Sequence, residues 1–156
     1  MGQGIIELVK TVSDAEFVFI DTAPMIYHLE IVVPYFSVTK EIFRALANRN
    51  RKPILSMVSV TEIVTKPFRE GQQEFVDNFE KYVLPQIDLR AITYEMAKRA
   101  GKLRSQYTLK TPDALVASTA LESGCHLFIT NDKDLRRLEA EGIAVMVVSD
   151  YVSTAD

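Results

Sequence analysis

The chain has 156 residues, 47% apolar and 25% charged, with a formal net charge of −3. That is enough to close one globular domain over a sizeable core, and too apolar for disorder along most of its length. One cysteine excludes a disulfide framework and any zinc site with two or more thiolates, and no apolar run is long enough to cross a membrane.

The N-terminus lacks the basic-then-apolar layout of a secretory signal, so the expected setting is cytoplasmic. Residues 1–15 form an extension with a helix expected around Ile5–Val12. Phe17–Ile20 is the first strand-like run, after which Tyr35, Val38, Ile42 and Leu46 recur at helical spacing. Ile54–Val58 is the next strand, followed by a helix starting near Ser59. Phe75, Phe79 and Tyr82 make another helical stripe, and Gln86–Leu89 a weaker strand. Ile92, Met96, Ala100, Leu103 and Tyr107 mark a helix. Thr111-Pro112 opens the next one, with Thr as its cap and Pro at its first position, and Gly124 closes it. Leu127–Thr130 and Ala144–Val148 are the last strands, Gly142 turns the chain between them, and 153–156 is expected to fray. The strand runs are continuously apolar rather than alternating, as parallel strands covered on both faces are, and helices fall between them. The expected fold is therefore α/β, with a mostly parallel central sheet in three layers and a single domain over 1–156.

Sites in open parallel sheets form beyond the carboxyl ends of the strands. Asp21 follows the first strand directly, Glu62 lies a few residues past the second, and Asp132 follows Thr130 by two. Asp113 falls in the first turn of the helix at Pro112. Each has an ordinary structural reading, because carboxylates are favoured at helix starts by free backbone N–H groups and the helix dipole. Together they suggest four acids at one rim, which repel one another unless cations or protons intervene. Without those four carboxylates the rest of the chain would carry +1, so the net charge does not exclude a polyanionic substrate.

The segments Phe-Ile-Asp21-Thr-Ala-Pro-Met-Ile-Tyr-His-Leu, Ser-Val-Thr-Glu62-Ile, Lys-Thr-Pro-Asp113-Ala-Leu-Val-Ala-Ser-Thr-Ala-Leu and Leu-Phe-Ile-Thr130-Asn131-Asp132-Lys-Asp134-Leu resemble, in this order and spacing, those of PIN-domain ribonucleases. The likeness is greatest to the VapC-type toxins of toxin–antitoxin modules, and it runs from about Phe17 to Val148. It implies a PIN-like three-layer α/β/α fold and a metal-dependent endoribonuclease. Asp21, Glu62, Asp113 and Asp132 would be the catalytic and metal-binding acids, with Asp134 as an accessory ligand. Thr130 and Asn131 match the polar pair leading into the last acid and are expected to contact substrate or to orient water or a carboxylate. It also implies Mg²⁺ or Mn²⁺ as cofactor, RNA as substrate and a cognate antitoxin as partner; a homodimer is expected as well, with apolar residues of the early helices as the candidate dimer or antitoxin surface. The sequence departs from many relatives in its N-terminal extension and in Ala23-Pro24 after the first acid, but neither change removes an acid.

Oxygen-rich acidic clusters suit the hard cations Mg²⁺ and Mn²⁺, whereas zinc would want cysteine or histidine pairs. Lys98, Arg99, Lys102, Arg104 and Lys110 lead up to Asp113, and Arg104 is the favoured phosphate contact, against the alternative of a merely solvated helix face. His28 and Cys125 read as packed residues, and the Phe75 stripe as helix packing. Two alternatives stay open: an RNA-binding or scaffolding module without activity, and a PIN ribonuclease of RNA processing. A haloacid-dehalogenase-like phosphatase is set aside, because that chemistry wants an aspartate where Ala23 stands.

Overall fold

Short apolar runs organise this chain, three of them leading to a polar side chain that caps the next helical segment: Asp21, Ser56 and Asp132. Its structure is a computed structural model describing residues 2–153, so the expected frayed tail lies outside the described residues except for Ser153. The chain divides into two compact units: one built from the chain up to Pro53 and from Cys125 onward, the other from Ile54–Gly124.

The first unit opens with α1 (Gln3–Asp14), which buries Leu8 and Val12. Arg51 closes the C-terminal end of this helix, donating to the backbone carbonyls of Ser13 and Ala15 that no helical N–H reaches. β1 (Val18–Ile20) is buried throughout and leads into α2 (Thr22–Leu29) and α3 (Tyr35–Asn48). β4 (Leu127–Thr130) pairs in parallel with β1, Phe19 opposite Phe128, and β5 (Ala144–Val147) pairs in parallel with β4. Between β4 and β5 the chain makes a run of 3₁₀ turns over Lys133–Glu141, ended by Gly142 at φ 92°, a conformation that favours glycine. The final 3₁₀ turn, Val148–Tyr151, lies against α1 and α3. As expected from the sequence, Val38, Ile42 and Leu46 form the buried stripe of α3.

In the second unit β2 (Ile54–Ser56) pairs in parallel with β3 (Asp88–Arg90). The strand expected to reach Val58 stops at Ser56, because Ser56 Oγ accepts the Val58 N–H and turns the chain into α4 (Met57–Arg69). Glu62 therefore lies in the second turn of its helix. α5 (Gln73–Asn78) passes into a π turn, Phe79–Val83, where the Leu84 N–H reaches five residues back to Phe79. The wider turn moves Tyr82 off the buried face, so Val76 and Phe79 are buried and Tyr82 is exposed. α6 (Tyr94–Gln106) is capped by Thr93, which accepts the Met96 N–H, and it buries Met96, Ala100 and Leu103. α7 (Thr111–Glu122) starts one residue earlier than expected: Lys110 holds the cap position in extended conformation and Thr111 is already helical. Gly124, at φ 68°, follows the end of α7 in the left-handed region common there. The α/β class and parallel strand pairing expected from the sequence are those of the structure.

Phe19 and Phe128 stack at 5.2 Å between β1 and β4, both fully buried. Replacing Phe128 by alanine should cost about 3–5 kcal/mol in denaturant unfolding; a loss below about 1 kcal/mol would mean the pair is not a core contact. His28 is half-buried against Phe36 and Phe43, with Nδ1 facing the Thr39 hydroxyl at 3.3 Å, and burial holds its pKa below the ordinary 6.5. The unfolded chain then binds more protons than the fold below that value, so stability is full above it and falls as pH drops toward the lower folded pKa. Between about pH 7.5 and 5.5 the melting temperature should fall more for the native chain than for His28→Phe; equal falls would remove the imidazole as the cause.

Candidate active site

Asp21 stands where β1 ends and α2 begins, its N–H donating to the Ile129 carbonyl at 2.8 Å and so continuing the β1–β4 ladder by one residue. Its Oδ1 caps α2 by accepting the Thr22 N–H, and its Oδ2 accepts the Thr130 hydroxyl, both at 2.8 Å. The same hydroxyl oxygen accepts the Asp132 N–H at 3.0 Å. Asp132 Oδ1 in turn accepts the Asp134 N–H at 2.9 Å and caps the following 3₁₀ run. One hydrogen-bonded chain, Asp21–Thr130–Asp132–Asp134, thus gathers three acids at the carboxyl ends of two paired parallel strands.

Thr130 is fully buried and its hydroxyl is committed on both sides. Of the roles expected for it, orienting a carboxylate is the one these bonds serve. Asn131 is held at both ends of its side chain: its amide donates to the Tyr27 hydroxyl at 3.1 Å, and its carbonyl accepts the Ser149 N–H at 2.9 Å. Tyr27 stacks on Tyr35 at 4.4 Å, so Asn131 ties the end of β4 to α2 and to the turn after β5.

In the second unit Asp113 is exposed in the first turn of α7, as expected, and Glu62 is exposed on α4. α4 and α7 pack together. The buried hydroxyls of Ser56, which caps α4, and Thr119, on α7, hydrogen-bond each other at 3.3 Å. This link between two acid-bearing helices escaped the sequence reading, although a serine ending an apolar run before a helix is a recognisable cap signal. Arg104 is exposed and donates through Nε to the Leu109 carbonyl at 3.2 Å, bracing the turn between α6 and α7.

The donors in the first unit are carboxylate oxygens, the ligand type that Mg²⁺ and Mn²⁺ prefer. Each Asp21 oxygen accepts one of the two hydrogen bonds above, and together these bonds fix the orientation of the carboxylate. Among the described residues no three His, Cys, Asp or Glu side chains stand close enough together to form a ready-made metal cage.

The model of the PIN domain matches residues 18–141. A search of curated proteins finds no match. Among solved structures, one chain from a toxin–antitoxin complex of Klebsiella pneumoniae is similar at 23% identity and a TM-score of 0.61, over 84% of this chain and 97% of that one. Another, from VapBC2 of Rickettsia felis bound to a DNA fragment from its promoter, is similar at 16% identity and a TM-score of 0.66, over 84% and 98%. At such identities the likeness is one of fold. The family match spans most of the sequence, takes in all the candidate acids and agrees with acids set at the ends of parallel strands: the chain belongs to the PIN-domain family.

Proposed function

We propose that this chain is a VapC-type toxin, a divalent-metal-dependent endoribonuclease that hydrolyses RNA phosphodiester bonds in the cytoplasm and is restrained by a cognate antitoxin. PIN domains are generally nucleases, which supports the reaction class. The toxin–antitoxin complexes among the structural neighbours support the partner, and a homodimer belongs to the same reading. The observation that carries the proposal is the hydrogen-bonded chain from Asp21 through Thr130 to Asp132.

Asp21, Glu62, Asp113 and Asp132 are the residues that would hold the metal, with Asp134 accessory. When bound, Mg²⁺ or Mn²⁺ supplies a water of lowered pKa and offsets the charge developing on the phosphate. The protein's part is to present its carboxylates in fixed orientation. Thr130 does this for Asp21, and its bond to the Asp132 backbone sets where the second acid starts. Arg104 offers its guanidinium to an RNA phosphate, with Nε braced against Leu109.

RNA cleavage should require Mg²⁺ or Mn²⁺, stop on chelation, and be lost in Asp21→Asn and in Asp113→Asn. Both variants should keep the fold, since asparagine still caps α2 and Asp113 is exposed. Cleavage retained in both would remove the mechanism, and cleavage unaffected by chelation would remove the metal. Thr130→Val should lower metal affinity or activity about 10–100-fold, as loss of a ligand's supporting hydrogen bond does, while Thr130→Ser restores most of it. Equal activity in the valine and serine variants would show that the hydroxyl does not orient Asp21.

A further inference from the structure

The charge of this chain is unevenly distributed. Against a total of −3, α6 carries four bases, Lys98, Arg99, Lys102 and Arg104, and one acid, Glu95, for a net +3 over thirteen residues. Arg99 is engaged by Glu122 at 2.9 Å. Lys98 reaches Glu95 at 3.3 Å, a pair exposed on both sides and therefore weak.

α6 also carries the exposed aromatic Tyr94, 75% accessible, with Lys98 Nζ 5.6 Å from the ring centre. Tyr94, Lys98 and Lys102 are four residues apart, so each step turns about 40° around the helix and the three span about 12 Å. Met96, Ala100 and Leu103 are buried on the opposite side. Beside the Tyr94–Lys102 row lies Gly101, where an added Cβ would meet nothing within 4 Å. A glycine inside a helix weakens it relative to alanine, and nothing in the packing here asks for one. Without a side chain there, the surface beside the row is open to close approach.

We propose that this exposed face of α6 is a track for single-stranded RNA, with a base stacked on Tyr94, backbone phosphates on Lys98 and Lys102, and the strand running close over Gly101. An aromatic surface joined to a row of cations is how sequence-tolerant single-strand binding is built. The track leads toward the turn that Arg104 braces and on to Asp113, so it deepens the ribonuclease reading and rests on it.

The test measures fluorescence anisotropy of a labelled, unstructured RNA of about 12 nucleotides, using the full chain with Asp113→Asn so that the probe stays whole. Adding Tyr94→Ala should weaken binding about tenfold, and Tyr94→Phe should not. Adding Lys98→Ala with Lys102→Ala should reduce the slope of log affinity against log salt by about 1.4, the share of two single-strand phosphates. Gly101→Leu should keep or raise the melting temperature and still weaken binding, which a purely structural residue would not do. Affinity and slope unchanged in the tyrosine and lysine variants would overturn the track. So would variants that bind RNA normally but lose a polyglutamate peptide, which would assign the face to an acidic protein. If the native chain cuts RNA, and the tyrosine and lysine changes alter neither binding in the Asp113→Asn chain nor cutting when made in the native chain, the track fails and the ribonuclease stands. If the native chain leaves RNA uncut with either metal while binding still depends on Tyr94 and the lysines, the ribonuclease fails and the track stands.

Discussion

A helix that begins directly after a strand leaves backbone N–H groups with no helical partner, and each must be satisfied by a side chain or by water. This chain meets that constraint with Asp21 at α2, Ser56 at α4, Thr93 at α6 and Asp132 at the 3₁₀ run. Two of these caps, Asp21 and Asp132, are also candidate catalytic acids, so one side chain in each case is both a cap and a proposed metal ligand. Capping holds each carboxylate in place after its strand.

Thr130 joins these two caps. A buried hydroxyl needs partners, because leaving it unsatisfied costs about 1–3 kcal/mol. Thr130 has them on both sides, donating to Asp21 and accepting from Asp132. The stability of the strand ends and the aim of the carboxylates therefore depend on the same pair of bonds. Asn131, one residue on, is used similarly, with both ends of its amide engaged in fastening β4 to its neighbours.

Electrostatics divides the chain along its elements. Asp21, Asp132 and Asp134 form the acidic end of the first unit, whereas α6, within the second, is strongly basic despite the negative total. Opposite charges held on separate elements each keep a local field that a single mixed surface would cancel. The net charge averages this pattern away.

The α/β class, the parallel strands and the PIN family were legible from the sequence, because continuous apolar runs between helical stripes, and acids placed after them, are local features of composition and order. Asp113 in a first helical turn was legible for the same reason, through Thr111-Pro112, even though the helix starts one residue earlier. The end of β2 at Ser56, the displacement of Tyr82 by a π turn, and the burial of Thr130 were not, since each is decided by hydrogen bonds and packing. Residue order by itself determined which acids this protein carries and where along its strands they fall. Only the tertiary structure decided that the Thr130 hydroxyl serves Asp21, because residues 109 positions apart become partners only when parallel strands set them side by side.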